Sequence, residues 1–381
     1  MPYRCPEIFY STSKLTGLFE KKNINNILIV TDEGIRKFGL LDRMIMHFEH
    51  HNINYFIYDK TVANPTTTNV EEARQLYIDN NCSAIIGFGG GSSIDCAKAV
   101  GARIAKPKQS LAKMKGILKV HKKLPLLIAI PTTAGTGSET TLAAVITDAN
   151  TRHKYAINDF PLIPAYAVLD PKVTVSLPPS LTATTGMDAL THAVEAYIGG
   201  STTKSTRKNA LRATKLIFEN IYKAYDYGTD IEARKNMLKA SFYAGCAFTK
   251  SYVGYVHAVA HSLGGKYNIP HGLANATLLP FVLEDYGSSV YKKLYELAVY
   301  SGIAAETDDY ETAAHKFIDA IKDMKKYFNI GDTFSEIRKE DIPELSKYAD
   351  KEANPLYPVP VLMNAEELEK FYYMLMEKET A

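Results

Sequence analysis

The sequence predicts a two-part α/β protein, in which a parallel sheet covered by helices is followed by an all-helical half. Three observations carry this reading. Compact apolar runs alternate with helical periodicity through the first 180 residues, strand-like runs almost vanish after Leu177-Pro178-Pro179-Ser180, and long helical patterns then continue to the C-terminus. Continuous apolar runs are the mark of strands buried on both faces, as in a parallel sheet with helices above and below. The expected strands are Ile27 to Val30, Ile53 to Tyr58, Ser83 to Phe88, Leu126 to Ile130 and Ala143 to Thr147. Among them, Ile35, Phe38, Leu41, Ile45 and Phe48 share one helical spacing, and Ala73 to Ile78 suggests another helix. In the second half, Ala210 to Tyr222, Ile231 to Phe248 and Tyr291 to Tyr300 are the clearest helices. Two adjacent prolines cannot continue a helix, and they set the expected boundary between domains of residues 1–180 and 181–381.

Composition narrows the class. In 381 residues, 46% are hydrophobic and 23% charged, enough for a sizeable core and ordinary for a soluble enzyme. Lys plus Arg number 44 against 42 for Asp plus Glu, so a net charge of +2 gives no reason to expect nucleic acid or an acidic membrane as partner. Met1 to Tyr10 carries Arg4, Pro6 and Glu7 rather than the apolar core of a signal peptide, and no apolar run is long enough to span a bilayer. Cys5, Cys82, Cys96 and Cys246 lack C-x-x-C spacing, so reduced thiols in a cytoplasmic setting are expected. Between Asp95 and Glu139 there is no acidic residue, while Lys98, Arg103, Lys106, Lys108, Lys113, Lys115, Lys119, Lys122 and Lys123 all fall there. That stretch reads as a solvated basic lobe, or alternatively as a source of long-range attraction for an anionic ligand.

Two small-residue loops carry the first chemical signal. In Ile85-Ile86-Gly87-Phe88-Gly89-Gly90-Gly91-Ser92-Ser93-Ile94-Asp95 a strand passes through glycines into a helix. Glycines let backbone N–H groups approach a ligand closely, and the positive end of the helix dipole then favours a phosphate. The pattern is neither G-x-G-x-x-G nor a P-loop, and a plain tight turn is the competing explanation. Pro131-Thr132-Thr133-Ala134-Gly135-Thr136-Gly137-Ser138-Glu139 likewise follows a buried strand, and open α/β sheets bind ligands at the carboxyl ends of strands. Threonine hydroxyls there can meet ribose and phosphate oxygens. Asp32 follows the first strand, where a carboxylate could bind an adenosine ribose and repel a 2′-phosphate, or simply favour the start of the next helix.

The second signal is a set of metal-type side chains. Asp188 and His192 stand at i and i+4 in Gly186-Met187-Asp188-Ala189-Leu190-Thr191-His192, one face of an apolar helix. His257 and His261 form another such pair, followed by Pro270-His271-Gly272. Buried imidazoles need partners, and one metal satisfies several at once. One carboxylate with up to four imidazoles suits Fe2+ or Zn2+ rather than Ca2+ or Mg2+. Spacing leaves open whether His257 or His261 is the ligand. His47, His50, His51, His121, His153 and His315 have no such company and read as surface or packing residues.

At these residues the sequence resembles the iron-containing, or group III, alcohol dehydrogenases over nearly its whole length. The resemblance rests on G-G-G-S-S-I-D-C-A-K, P-T-T-A-G-T-G-S-E, G-M-D-A-L-T-H-A-V-E-A-Y and H-A-V-A-H-S-L-G-G-x-x-x-x-P-H-G-L-A-N-A. It implies an N-terminal Rossmann-like, NAD-binding domain and a C-terminal helical, metal-binding catalytic domain. It further implies Asp188, His192, His257 and His271 as metal ligands, with His261 beside the metal as the catalytic proton relay. Gly90, Gly91 and Ser92 would bind the pyrophosphate of NAD(H). Thr132, Thr133, Thr136 and Thr141 would line the cofactor site, with Asn64 and Lys154 also facing it. Asp32 occupies the position of an aspartate in members that prefer NAD, and Phe248 a substrate-pocket position. Where many relatives read A-F-S-N, this chain has Ala247-Phe248-Thr249-Lys250, so pocket size and polarity do not carry over from any one relative. The implied activity is metal-assisted hydride transfer between a small primary alcohol or diol and NAD, in a homodimer or higher homo-oligomer. The competing readings are a zinc glycerol-dehydrogenase-like polyol oxidoreductase, a dehydroquinate-synthase-like lyase, and a non-catalytic protein with a structural metal or nucleotide site.

Overall fold

The structure is a computed structural model that describes residues 3–377. Its chain divides into two units, Met1–Leu177 with Thr229–Leu238, and Pro178–Gly228 with Lys239–Ala381.

The first unit is the α/β part. Its strands are β1 (Glu7–Phe9), β2 (Asn26–Val30), β3 (Asn54–Tyr58), β4 (Ala84–Gly89), β5 (Gly116–Ile117), β6 (Leu126–Pro131), β7 (Ala143–Thr147), β8 (Lys154–Asn158) and β9 (Tyr166–Val168). Its helices are α1 (Lys14–Lys22), α2 (Glu33–Lys37), α3 (Asp42–His50), α4 (Thr67–Asp79), α5 (Gly91–Ala105) and α6 (Leu111–Met114). The main sheet runs β1-β9-β6-β4-β2-β3 with every pair parallel. Both of its faces are covered, which is why the strands read as continuous apolar runs. In β2, Leu28 and Val30 enter one core with Val70, Val100 and Leu127. The alternate residues Ile27 and Ile29 enter another with Phe19, Phe48 and Phe88.

Two expectations need correction. The strand expected over Ala143 to Thr147 exists but lies outside the parallel sheet, in a second sheet of order β5-β8-β7, antiparallel to β8. Only a short connection separates it from β8, and a parallel neighbour needs a long crossover. Its burial alternates accordingly, with Ala144 and Ile146 inward and the residues between them half exposed. The single helical spacing from Ile35 to Phe48 becomes two helices, broken where Gly39 takes a φ of +66° and Phe38 stands exposed. Strands β1 and β9, of three residues each, are too short to register as patterns.

The second unit is helical: α7 (Pro179–Ile198), α8 (Lys204–Asp226), α10 (Tyr255–Tyr267), α11 (His271–Tyr286), α12 (Tyr291–Tyr300), α13 (Tyr310–Tyr327), α14 (Ile342–Ala353) and α15 (Ala365–Leu375). Helix α9 (Ile231–Ser251) contributes residues to both units. The double proline opens a helix as well as closing what precedes it, because Pro179 sits in the first turn of α7, where a missing N–H costs no intrahelical bond. From Gly186 to Ile198 every residue of α7 is buried. This helix packs against α8 and α11, and α10 packs against α11 and α14.

Candidate nucleotide cradle and metal centre

In the first unit, β2, β4 and β6 lie side by side and parallel, so the loops that follow them leave from one edge of the sheet. Successive strands are added on opposite sides of the β2–β4 pair, which makes this the switch point where open α/β sheets bind ligands. Asp32, Gly90 and Thr132 follow these three strands.

The glycines there have different jobs. Gly89 has a φ of +148°, and a Cβ on it would come within 2.6 Å of Ser93 Oγ, so glycine is required for α5 to start directly at the strand end. Gly90 is the N-cap of α5 without a side-chain cap, and a Cβ there would meet nothing nearer than Thr133 at 3.8 Å. Among the described residues no side-chain cap serves the start of this 15-residue helix, which suits its first N–H groups to an external acceptor.

The expected cofactor residues divide into those at this edge and those with other duties. Ser92 Oγ accepts a hydrogen bond from the Asn64 N–H at 3.4 Å, and Lys154 Nζ donates to Asn64 Oδ1 at 2.7 Å, so Asn64 links the two. Thr136 lies beside Gly91, at 3.1 Å from where its Cβ would be. Thr133 is half-buried, and Thr132 is buried with its N–H donating to Gly89 O at 3.0 Å. Asp32 is the N-cap of α2: Oδ1 accepts from the Ile35 N–H at 2.9 Å, and Oδ2 from Ser93 Oγ at 3.3 Å. The helix-starting role is therefore realised, and it ties Asp32 to the first turn of α5. Thr141 is buried, with Oγ1 accepting from Lys98 Nζ at 2.7 Å.

That lysine corrects the picture of a wholly solvated basic lobe. Lys98 is fully buried and also donates to Ser138 Oγ at 3.1 Å and Ala143 O at 2.8 Å. Asp95 accepts from Ser138 Oγ at 2.6 Å and from the Val145 N–H at 3.0 Å. Arg103 is buried too, paired with Glu71 from α4. A long cation enters the core when every donor finds an acceptor, and acceptors supplied by neighbouring elements cannot be counted along the local chain. Burial draws the Lys98 amine down to about 8, against the pull of Asp95 and Glu139. Glu139 is also buried, and burial pushes its carboxyl up to about 7 despite Lys98. Its Oε1 has no hydrogen-bond partner among the described residues.

In the second unit, α7, α10 and α11 converge. The helical spacing puts Asp188, His192 and Glu195 on one face of α7, and all three are buried. His257 and His261 stand one turn apart on α10, and His271 is the first residue of α11. A Cβ on Gly272 would come within 2.6 Å of Thr184 O, so a glycine is what lets α11 approach α7 closely enough to bring His271 to Asp188. Ligand atoms of Asp188, His192 and His257 lie within 4.8 Å of one another. From Asp188 Oδ1, His257 Nε2 is 3.8 Å away and His271 Nε2 is 3.5 Å away. Ligands about 2.0–2.2 Å from a shared ion lie roughly 3–4 Å apart, so these separations suit one. Spacing left His257 and His261 equivalent; in the structure His257 is the one that joins Asp188 and His192.

Chemistry supports the same fit. His257 Nδ1 lies 2.5 Å from Glu195 Oε2, while its buried Nε2 has no hydrogen-bond partner among the described residues. Glu195 Oε1 accepts from the Val256 N–H at 2.8 Å. A carboxylate that accepts a hydrogen bond from Nδ1–H leaves the Nε2 lone pair facing the Asp188 oxygen, an arrangement that calls for a cation between them. Burial, reinforced by the rings of His192, His271 and His261, holds the His257 pKa well below the usual range, so the imidazole is neutral, as a ligand must be. Asn275 Nδ2 donates to Asp188 Oδ1 at 2.7 Å and lies 3.1 Å from His271 Nε2. Phe248 stacks on the His192 ring, with centroids 4.1 Å apart. His261 is more exposed: its ring stacks on His271 at 5.0 Å, and its Nδ1 lies 2.6 Å from Glu352 Oε1. Glu195 and Asn275 were legible as helical repeats, seven residues from Asp188 and four from His271. Glu352 gave no local signal, because its partner lies 91 residues away.

Comparison with known proteins identifies the lineage. Residues 8–171 match iron-containing alcohol dehydrogenase, and residues 182–376 match the C-terminal part of the Fe-containing alcohol dehydrogenase family. The chain belongs to the iron-containing alcohol dehydrogenase family, whose members are oxidoreductases of alcohols and aldehydes. It is 40% identical to alcohol dehydrogenase 4 of Schizosaccharomyces pombe over 87% of this chain and 79% of that one. It is 36% identical to the NAD-dependent methanol dehydrogenase of Bacillus methanolicus over 84% of this chain and 85% of that one. A crystal structure of 1,3-propanediol oxidoreductase superposes with a TM-score of 0.93, at 33% identity and 98% coverage of both chains.

Proposed function

We propose that this protein is a metal-dependent, NAD(H)-linked oxidoreductase that interconverts small primary alcohols or diols with their aldehydes by hydride transfer. The observation that carries the proposal is the buried Asp188–His192–His257 group, with His257 Nε2 3.8 Å from Asp188 Oδ1 and without a hydrogen-bond partner among the described residues. Asp188, His192, His257 and His271 would hold the ion, Fe2+ by family and Zn2+ by an equally suitable ligand set. When bound, such an ion supplies Lewis-acid polarisation of the substrate oxygen, and the nicotinamide supplies the redox step. Glu195 keeps His257 turned, and Asn275 holds Asp188. His261, outside the buried group, relays the proton to or from the substrate oxygen. Phe248, stacked on His192, forms part of the substrate wall.

On the nucleotide side, the N–H groups at Gly90, Gly91 and Ser92 would take the pyrophosphate. Thr132, Thr133 and Thr136, with Asn64 and Lys154, would line the rest of the cofactor site. Thr141 acts there indirectly, by holding Lys98. Asp32 at the end of β2 supports NAD over NADP, since its carboxylate repels a 2′-phosphate. The name of the Bacillus methanolicus relative supports the same choice. Residues 1–180 would thus form the NAD-binding domain and 181–381 the metal-binding catalytic domain.

We further read the protein as a cytoplasmic homo-oligomer that binds neither nucleic acid nor membrane. Cys82 and Cys96 are buried thiols outside any disulfide, and no helix among the described residues is long and apolar enough to cross a membrane. Light scattering on the purified protein tests the oligomer.

The deciding experiment follows nicotinamide absorbance in metal-stripped protein reloaded anaerobically with Fe2+ or Zn2+, given NADH and short aldehydes. NADH oxidation that requires both metal and aldehyde is the expected result, and it excludes a lyase that uses NAD only transiently. No oxidation with either metal, in folded and loaded protein, overturns the proposal.

A further inference from the structure

Glu352, in the last turn of α14, places one oxygen between two groups: Oε1 lies 2.6 Å from His261 Nδ1 and accepts a hydrogen bond from the Tyr357 hydroxyl at 2.8 Å. Tyr357 belongs to the segment joining α14 to α15, and that segment is pinned at several points. The buried Tyr255 hydroxyl donates within 3.0 Å of Asn354 Oδ1 and Met363 O, and accepts from the Met363 N–H at 2.9 Å. Pro358 O accepts from the Gly200 N–H. The Glu352 carboxylate is therefore held from behind by a fixed donor. Its Oε1 already accepts the hydrogen bond from the Tyr357 hydroxyl, and a carboxylate has no proton of its own to give, so it meets His261 Nδ1 as an acceptor.

An acceptor-only partner at Nδ1 dictates the His261 tautomer: the proton sits on Nδ1, and Nε2 is the basic nitrogen of the ring. The His261 ring plane is fixed by stacking on His271. The His261 and Glu352 side chains are 42% and 36% exposed. A pair that open contributes little to stability, which leaves orientation as its main consequence. We infer that Glu352, backed by Tyr357, is a positioning residue for His261, setting which ring nitrogen faces the reacting oxygen. The inference rests on the proton-relay role of His261 proposed above.

The test compares wild type, His261→Ala, Glu352→Ala and Tyr357→Phe, each loaded with Zn2+, in NADH-dependent aldehyde reduction with kcat and KM measured separately. Metal content and melting temperature are recorded for each. His261→Ala should lose about 100-fold or more in kcat, within the span of general acid–base catalysis. Glu352→Ala should lose about 10-fold or more in kcat, with KM for NADH and metal content unchanged. Tyr357→Phe should lose less than Glu352→Ala. Wild-type kcat in Glu352→Ala beside a disabled His261→Ala overturns the inference and leaves the proposed function standing. Wild-type kcat in His261→Ala removes the relay role, and the inference with it. Should Glu352→Ala fail to fold, 15N imidazole shifts of the Zn2+-loaded wild type decide, with the His261 signal assigned by its absence in His261→Ala. An Nδ1–H tautomer is expected, and an Nε2–H tautomer overturns the inference.

Discussion

His257 holds one ring nitrogen against the Glu195 carboxylate and turns the other toward Asp188. Two substitutions separate the metal-holding residues from the one beside them. His257→Ala should lose bound metal and turnover together, whereas His261→Ala should keep its metal while losing turnover; metal analysis beside the NADH assay checks both. Glu195→Gln should retain the fold but weaken metal binding about 10- to 100-fold, as loss of an orienting carboxylate does, which competition with a chelator measures. Glu139 poses a different question. Its folded pKa of about 7 lies above the ordinary 4.5. A carboxyl shifted upward contributes stability below its unfolded pKa and loses that contribution as pH rises through the folded one. Glu139→Gln should therefore melt with the wild type below pH 4.5 and gain on it progressively up to about pH 7. A difference that does not change with pH would show that Glu139 is already ionised in the fold.

Among the elements, α5 and α7 do most to place the chemistry. Helix α5 begins where β4 ends, and the two glycines at that junction should fail differently. Gly89→Ala forces a side chain onto a φ of +148° and into Ser93. It should lower the melting temperature by several degrees and weaken NADH binding. Gly90→Ala meets nothing nearer than Thr133 at 3.8 Å, so it should melt like the wild type while the added methyl group, at the helix start proposed to take the pyrophosphate, weakens NADH binding. Calorimetric titration of both variants separates the two effects; equal loss of stability would mean the cradle is not open at Gly90. Helix α7 was legible as a helix from its apolar residues and as a site from Asp188 and His192. The chain break at Gly39 and the antiparallel pairing of β7 were not, because each depends on which neighbour is nearest in space.

For the molecule as a whole, metal should behave as a stabilising ligand. An ion bound by the folded chain and not by the unfolded one adds about 2.7 kcal/mol at a hundredfold excess over its dissociation constant. Chelator-stripped protein should therefore melt lower than protein reloaded with Fe2+ or Zn2+, and the increment should vanish in Asp188→Ala. A melting temperature indifferent to metal would place the ion, if any, outside the fold.

The alternation of apolar runs and helical periods, the glycine junction after β4 and the i, i+4 pairs of Asp188 with His192 and His257 with His261 were all readable along the chain. Each is a local pattern enforced by the geometry of one strand or one helix. Which histidine joins Asp188, that Lys98 is buried rather than solvated, and that Glu352 meets His261 depended on the tertiary structure. Those contacts join residues 69, 43 and 91 positions apart. No local periodicity links such distant positions, because they are neighbours only through the packing of separate elements.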